Sequence, residues 1–196
     1  MANPGGFLAH LIKLVTTIIC LRYVNDKQHS IMTVRAFQIF LIHSILGMFR
    51  FGSTANLIGK RSFREFYDRM SNIVEIIPFA FFSTEISRLS DVDELLRHSL
   101  LLVLILLPIA HEIMPRKERA KMRVLINHSI NLQLLIVTIA CLQRGTFGVI
   151  SFVLSYIFNR YYTEYFCDLF DVPYEDLIQY SLCFVETFSL TTIQEL

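Results

Sequence analysis

The sequence predicts an all-α protein, a polytopic membrane helix bundle of six or seven spans, and two observations carry this prediction. Apolar residues make up 54% of the 196 positions and charged residues only 18%, with a mean hydropathy of +0.50, whereas soluble domains carry about 25% charged residues. The stretch from Leu95 to Met114 is also strongly apolar, because the fourteen residues between Arg97 and Glu112 carry no fixed charge. Twenty helical residues reach about 30 Å, the thickness of the hydrocarbon core of a bilayer. We therefore expect this stretch to cross a membrane.

Further apolar stretches make residues 1–196 a single transmembrane helical domain. Pro115 ends the stretch just described. The next apolar region must turn at Arg144 and Gly145, because one helix through all of it would be about 63 Å long, roughly twice the bilayer thickness. Pro78 is expected to kink the third span, and the last segment is either a short span or an interfacial helix. The predicted spans are about residues 6–24, 32–52, 73–89, 95–114, 124–142 and 145–165, with 174–193 as the seventh.

Two basic loops predict the orientation of these spans. Cations crowd the loop before span three and the segment after Pro115, whereas Asp91, Asp93 and Glu94 make the loop before span four acidic. By the positive-inside rule both basic loops face the cytoplasm, and the two spans between them return the chain to the same side. The N-terminus is then cytoplasmic. The cations are Lys60, Arg61 and Arg64 in the first loop and Arg116, Lys117, Arg119, Lys121 and Arg123 in the second.

Four polar residues in spans two and three form a candidate site. His43 and Arg50 share one face of span two, and Glu75 and Glu85 lie near the ends of span three. Sequential spans are antiparallel, so Arg50 and Glu75 lie at a similar depth and can form the partner pair that charges inside a membrane need. We interpret the pair as a structural lock between two helices, with a proton or ion pathway as the alternative. Lys13 in span one is costly in lipid unless it snorkels or faces protein.

Other polar side chains indicate contacts between helices. A polar stripe on span five predicts interhelical hydrogen bonds, and its residues are Asn127, Asn131 and Thr138. One face of span six carries small residues that let helices approach closely, namely Gly148, Ser151, Ser155 and Asn159. Both stripes are typical of helix packing.

The sequence gives no sign of catalysis, a cofactor or a metal. Its six histidines include no pair at i, i+3 or i, i+4, the spacing by which one helix presents two metal ligands. No nucleophile elbow, P-loop or glycine-rich nucleotide motif is present, so we predict neither an enzyme nor a cofactor. No basic patch with exposed aromatic residues indicates a nucleic acid. The four cysteines stand singly in apolar segments, which predicts no disulfide framework.

Short motifs between about residues 40 and 190 resemble a known family. They are Leu46 and Gly47 followed by Arg50 and Gly52, the proline of span three, and Val172 and Pro173 before Glu175 and Asp176. Their order is similar to that in the transmembrane protein 276 family of small multi-pass membrane proteins. The resemblance implies a multi-pass membrane protein and supplies no catalytic residues.

From these observations we expect an accessory, scaffold or assembly partner in the endoplasmic reticulum or another internal membrane. Its partners would be the lipid bilayer, where the basic loops offer a docking surface to acidic lipids, and another membrane protein or further copies of the chain. The alternative is a small proton- or ion-coupled transporter or channel whose pathway uses His43, Arg50, Glu75 and Glu85.

Overall fold

The computed structural model describes residues 3–24, 31–52 and 61–196, and this part of the chain is all-α. Its helices are α1 Pro4–Val24, α2 Ile31–Gly52, α3 Arg61–Val74, α4 Ile77–Leu89, α5 Glu94–Ile113, α6 Arg116–Gln143, α7 Gly148–Ile157, α8 Thr163–Phe170 and α9 Tyr174–Glu195. A π-helical turn, Phe158–Tyr162, joins α7 to α8. The predicted fold class is confirmed at the level of an all-α chain.

Four helices within the described residues are long and apolar enough to cross a membrane: α1, α2, α5 and the Lys117–Gln143 part of α6. Their outer faces are apolar as well. Ile18, Leu102 and Leu135 each have at least half of their surface exposed, at 50%, 58% and 57%. Large apolar side chains exposed in such numbers are typical of a surface in contact with lipid rather than water.

The bundle is arranged around α2, α4 and α9. α1 packs against α2 and α9, α4 packs against α2 and α5, and α7 packs against α9. Aromatic side chains fill the centre, where Phe37 and Phe82 meet edge to face and Phe79 stacks on Tyr156. Eight side chains of α9 are buried, so this helix packs against the bundle along one face.

The bundle has two chemically different ends. At one end the Asn3 amide donates to the Phe51 carbonyl (3.0 Å), and Asn72 of α3 donates to Glu112 at the end of α5 (3.1 Å). Those bonds bring the start of α1, the end of α2 and α3 together with the cation-rich beginning of α6, and we call this the basic end. At the opposite end an ion pair between Arg144 and Asp91 joins the α6–α7 turn to the α4–α5 turn.

Two boundaries differ from the sequence prediction. The region before span three was expected to be a loop, but it contains the amphipathic helix α3. Pro78 does not kink a helix there: α4 begins at Ile77 and Pro78 occupies its first turn, where the missing N–H costs nothing. α4 therefore has only 13 residues, about 20 Å of helix. In addition, the cations after Pro115 lie on α6 and not in a loop.

The predicted turn at Arg144 and Gly145 is confirmed. α6 ends at Gln143, and Gly145 has a φ of +78°, a left-handed conformation that glycine adopts without steric cost. The turn reverses the chain into α7, as the length argument requires.

Candidate functional site

The strongest candidate site is centred on Lys13 of α1, whose side chain has no exposed surface. Its Nζ lies 2.7 Å from Nδ1 of His43 on α2 and donates to Oε1 of Gln179 on α9, also at 2.7 Å. The ring of Phe40 lies below it, with its centroid 5.5 Å from Nζ. Lys13 thus faces protein, one of the two solutions expected for a cation in this span.

The hydrogen bonds of His43 indicate which of its ring nitrogens carries the proton. The Ser71 hydroxyl donates to the Tyr67 carbonyl (3.1 Å), so its oxygen is left to accept from His43 Nε2 at 2.9 Å. A neutral imidazole carries one N–H, so Nδ1 is then the acceptor for the Lys13 ammonium. His43 therefore connects α3 to the buried lysine through both ring nitrogens.

A carboxyl group completes the cluster one helical turn away from Lys13. Thr17 follows Lys13 at i+4 on α1, and its hydroxyl lies 2.7 Å from Oε2 of Glu186. Glu186 has no exposed surface, and its Oε1 has no hydrogen-bond partner among the described residues. A buried cation and a buried carboxyl on neighbouring helices balance each other's charge, which lowers the cost of placing either in lipid.

His10 and Tyr67 extend the cluster toward the basic end. The Tyr67 hydroxyl lies 2.7 Å from His10 Nε2, and its ring stacks on His43 with centroids 5.2 Å apart. Burial raises the pKa of the Tyr67 phenol above its usual range, so the phenol stays protonated. The ring of His10 lies directly against Gly47 of α2, where a Cβ atom would overlap it. We call His10, Lys13, Thr17, His43, Tyr67, Ser71, Gln179 and Glu186 the polar cluster.

A cavity of about 180 Å³ connects the polar cluster with the basic end. His43, Ser71 and Gln179 line its inner part, and Asp68, whose side chain is 52% exposed, lies at its mouth. Both hydrogen-bond partners of Lys13 thus line a space large enough for water. We call it the near cavity.

A second cavity, of about 160 Å³, lies toward the opposite end. Glu85 and Arg88 of α4 line it together with Leu190 of α9. Arg88 donates to Glu85 at 2.6 Å and is 50% exposed, whereas Glu85 is 3% exposed. We call it the far cavity.

Three phenylalanines separate the polar cluster from the far cavity. Along α2, Phe37 and Phe40 lie between His43 of the polar cluster and Thr33, which lines the far cavity. On α4, Phe82 lies one turn before Glu85, which lines the same cavity. The Phe82 ring centroid is 5.0 Å from that of Phe37 and 6.2 Å from that of Phe40, and none of the three is more than 1% exposed. This Phe layer is buried, closely packed and without charge.

The predicted pair between Arg50 and Glu75 is not formed, and the four predicted site residues do not form one group. Arg50 lies 3.7 Å from Asp68 of α3, because α3 occupies the region predicted as a loop. Glu75 pairs instead with Arg160 of the π-helical turn, at 2.5 Å. Glu85 pairs with its own-helix neighbour Arg88. Of the four, only His43 belongs to the polar cluster, while Glu75 lines the near cavity.

The central residues of the cluster were not in the predicted site. Lys13 was noticed only as a cost within span one, and Gln179 and Glu186 were not singled out. A signal was present: His10, Lys13 and Thr17 recur at i, i+3 and i+7 on one helix face, and Gln179 and Glu186 are seven apart on another. Two polar stripes on apolar helices predict that the helices meet along them.

The predicted basic segments lie near each other at the basic end. Arg64 is 69% exposed and lies 4.0 Å from Asp68, and Arg119 donates to the carbonyls of Met114 and Glu112 at the end of α5. The remaining cations with described side chains, Lys117, Lys121 and Arg123, are exposed. Lys60 lies outside the described residues, as do the side chains of Arg61 and Arg116.

The asparagine stripe of span five does bond to another helix. Asn127 accepts from Arg160 (3.0 Å) and Asn131 accepts from Tyr161 (2.9 Å), which confirms the prediction for these two residues. For Thr138 it was wrong, because that hydroxyl donates to the Leu134 carbonyl of its own helix at 2.7 Å. On the π-helical turn Asn159 accepts from Ser181 of α9. Within residues 3–24, 31–52 and 61–196 no three histidine, cysteine or acidic side chains gather closely enough to hold a metal ion.

Comparison with family models, with curated proteins and with solved structures gives no match to this chain. The resemblance to the transmembrane protein 276 family therefore stays a prediction.

Proposed function

We propose that this protein is a small proton- or ion-coupled transporter or channel of the multi-pass helical class. One observation carries the proposal: a buried, ionisable cluster lies between two cavities that approach it from opposite ends of the bundle. Ionisable side chains within membrane helices are rare and commonly mark proton or ion pathways.

The cluster has the parts that a proton relay needs. His43 can take a proton from the Lys13 ammonium at Nδ1 and release the one on Nε2 toward Ser71 and the near cavity, because its two ring nitrogens contact Lys13 and Ser71. Lys13 is then neutral and can accept another proton. Thr17 has one proton and two acceptors, the Lys13 carbonyl at 2.8 Å and Glu186 at 2.7 Å. When Thr17 donates to the carbonyl, only a protonated Glu186 can complete the second bond. The cluster therefore has two hydrogen-bonding states that differ by one proton.

The Phe layer supports transport by gating. It lies between Lys13, which Phe40 contacts, and Glu85, which lines the far cavity, so we propose that a proton or ion held at Lys13 exchanges with the near cavity in this conformation. Movement of α4, which carries Phe82, would expose the cluster to the far cavity instead. α4 is short and has a proline in its first turn, so it has a break at its base about which to move.

We propose seven crossings with the N-terminus in the cytoplasm. Three observations support an odd number: Asn3 contacts the basic end, the Arg144–Asp91 pair marks the opposite end, and Glu195 there accepts from the Gly148 amide at 2.9 Å. The positive-inside rule assigns the basic end to the cytoplasm. In this arrangement α4 completes its crossing together with the end of α3, while the other crossings are α1, α2, α5, α6, α7 with α8, and α9.

The proposal is tested by proton flux into liposomes that contain the purified protein and an enclosed pH-sensitive dye, driven by a potassium gradient with valinomycin. We expect flux above that of empty liposomes, and we expect Lys13→Gln and Glu186→Gln each to reduce it at least about tenfold, because a relay needs the group that titrates. Phe82→Ala should instead raise flux by loosening the Phe layer.

Arg22→Gln is the matched control, since it removes one cation from α1 at an exposed position. It should conduct like the wild type. Elution profile and thermal unfolding in detergent report whether each variant is folded. Wild-type liposomes no leakier than empty ones would refute transport. Variants that lose thermal stability with unchanged flux would identify the cluster as a structural lock that is not part of the pathway.

A second candidate, an accessory, scaffold or assembly partner, is favoured by the exposed cations at the basic end. Arg64 on α3 and Lys117, Lys121 and Arg123 on α6 form a surface suited to acidic lipids or acidic partners, including a membrane protein or further copies of the chain. Replacing Lys60, Arg61, Arg64 and the Arg116–Arg123 cations by glutamine should weaken co-purification of such partners and retention by anionic vesicles. Undiminished capture would argue against this role.

We further propose an internal membrane, with the endoplasmic reticulum favoured, as the location. A fluorescent fusion that co-localises with an endoplasmic reticulum marker would support it, and one confined to the plasma membrane would contradict it.

A further inference from the structure

A separate polar cavity lies at the basic end, next to the near cavity and divided from it by Asn72, Glu75 and Tyr174, which line both. Its volume is about 260 Å³. It lies where the α3–α4 junction, the end of α5, the first half of α6 and the π-helical turn meet, and Ile76 and Pro108 contribute apolar surface to it. We call it the interface pocket.

The inner charges of the interface pocket are already paired. Arg160 donates to Glu75 at 2.5 Å and to Asn127 at 3.0 Å, and the side chains of Arg160 and Glu75 are only 15% and 13% exposed. On the facing side Glu112 accepts from Asn72 at 3.1 Å and contacts His111 Nδ1 at 3.2 Å. These bonds hold the wall rigid before any ligand arrives.

The rim of the pocket carries one cation and one anion that pair with no other described residue. Arg123 on α6 and Glu164 on α8 line the pocket and are exposed. Within the described part of the chain neither has a hydrogen-bond or ion-pair partner. His111 provides a further polar atom that a ligand could bind, since its Nε2 is buried without a hydrogen-bond partner among the same residues. The pocket therefore presents unused charge of both signs around a polar interior.

We infer that the interface pocket binds a zwitterion carrying a phosphate and an ammonium group, the chemistry of an ethanolamine phospholipid headgroup. Arg123 would bind the phosphate and Glu164 the ammonium group, which the aromatic faces of Tyr161 and Tyr174 also suit. A ligand with only negative charge would meet three carboxylates, Glu75, Glu112 and Glu164, against two arginines. The inference holds whether or not the polar cluster relays protons.

The test measures binding of water-soluble, short-chain lipids to the purified full chain by saturation-transfer NMR and by thermal shift. Short-chain phosphatidylethanolamine should bind at least about tenfold more tightly than short-chain phosphatidylglycerol, because only the former satisfies both rim charges. Arg123→Gln and Glu164→Gln should each weaken it about fivefold or more, and Arg123→Lys should weaken it less. Soluble phosphoethanolamine, ethanolamine and inorganic phosphate are titrated in parallel.

Two exposed neighbours provide matched controls: Lys121→Gln on α6 and Asp168→Asn on α8 remove the same charges from positions outside the pocket. Both should bind like the wild type. Binding of phosphoethanolamine as tight as that of the lipid would assign a soluble source, and binding of the acylated compound alone would assign the bilayer. Equal affinity for phosphatidylglycerol, or affinity unchanged by both rim substitutions, would overturn the inference.

Discussion

At the scale of single residues, partners follow from packing more than from position in the sequence. The sequence marked Lys13 as a cation that must snorkel or face protein, and the structure places it against protein. The sequence prediction paired Arg50 with Glu75 on an estimate of depth alone. Arg50 instead lies near Asp68, because α3 packs against the end of α2. Glu75 pairs with Arg160, which the π-helical turn brings to it. The identity of the facing helix could not be predicted from depth along a span.

Thr17 provides the test at this scale. Thr17→Val keeps the side-chain shape but removes the only hydrogen-bond partner that the described residues give the carboxyl group of Glu186. Leaving a buried polar group without a partner costs about 1–3 kcal/mol, so we expect a lower unfolding temperature in detergent. Thr191→Val is the control, because that hydroxyl is exposed and bonds only to a carbonyl of its own helix.

A second substitution separates this cause from a general loss of packing. Thr17→Ser loses a methyl group but keeps the hydroxyl that bonds to Glu186, so it should retain more stability than Thr17→Val. Equal stability of Thr17→Val and the wild type would mean that Thr17 does not satisfy Glu186.

At the scale of helices, length and turn chemistry were readable but irregularities were not. The turn at Gly145 followed from the bilayer thickness. The π-helical turn in span six did not, since no local signal distinguishes Phe158–Tyr162 from ordinary helix. The extra residue in that turn carries Asn159 toward Ser181 of α9 and Arg160 toward Glu75. Such contacts with distant segments stabilise π-helical turns, which often occur at functional sites.

Gly145 tests the turn between α6 and α7. No atom of another residue lies within 4 Å of the position a Cβ would take, so Gly145→Ala changes only the cost of its left-handed backbone. We expect a loss of about 1–2 kcal/mol in unfolding free energy. Gly145→Asn should lose less, because asparagine adopts this conformation more readily. Equal losses for the two variants would point to another cause.

At the scale of the whole molecule, the two ends differ in charge and the middle is apolar outside and polar within. The exposed apolar faces of the four long helices agree with the predicted spans, and the polar cluster explains how Lys13 and Glu186 are tolerated between them. Side chains of α1, α2, α3 and α9 form this cluster. Burial of a charge in lipid is acceptable only when protein surrounds it.

Single cysteines test the orientation of the whole bundle. In a background without the four native cysteines, Arg64→Cys and Lys121→Cys should react with a membrane-impermeant maleimide added from the cytoplasmic side. Glu94→Cys should react only from the other side, since its side chain is 79% exposed at the opposite end. Labelling of Arg64→Cys and Glu94→Cys from one side would contradict the proposed topology.

The sequence alone determined that the chain is helical, that several helices suit a membrane, and where the long apolar region turns, because these properties depend on local composition and on length. Only the tertiary structure decided which charged side chains meet. Lys13 and Glu186 are 173 positions apart. The cavities on either side of them are likewise lined by residues that lie far apart in the sequence. Contacts of that kind depend on the order and rotation of packed helices, which no single stretch of sequence contains.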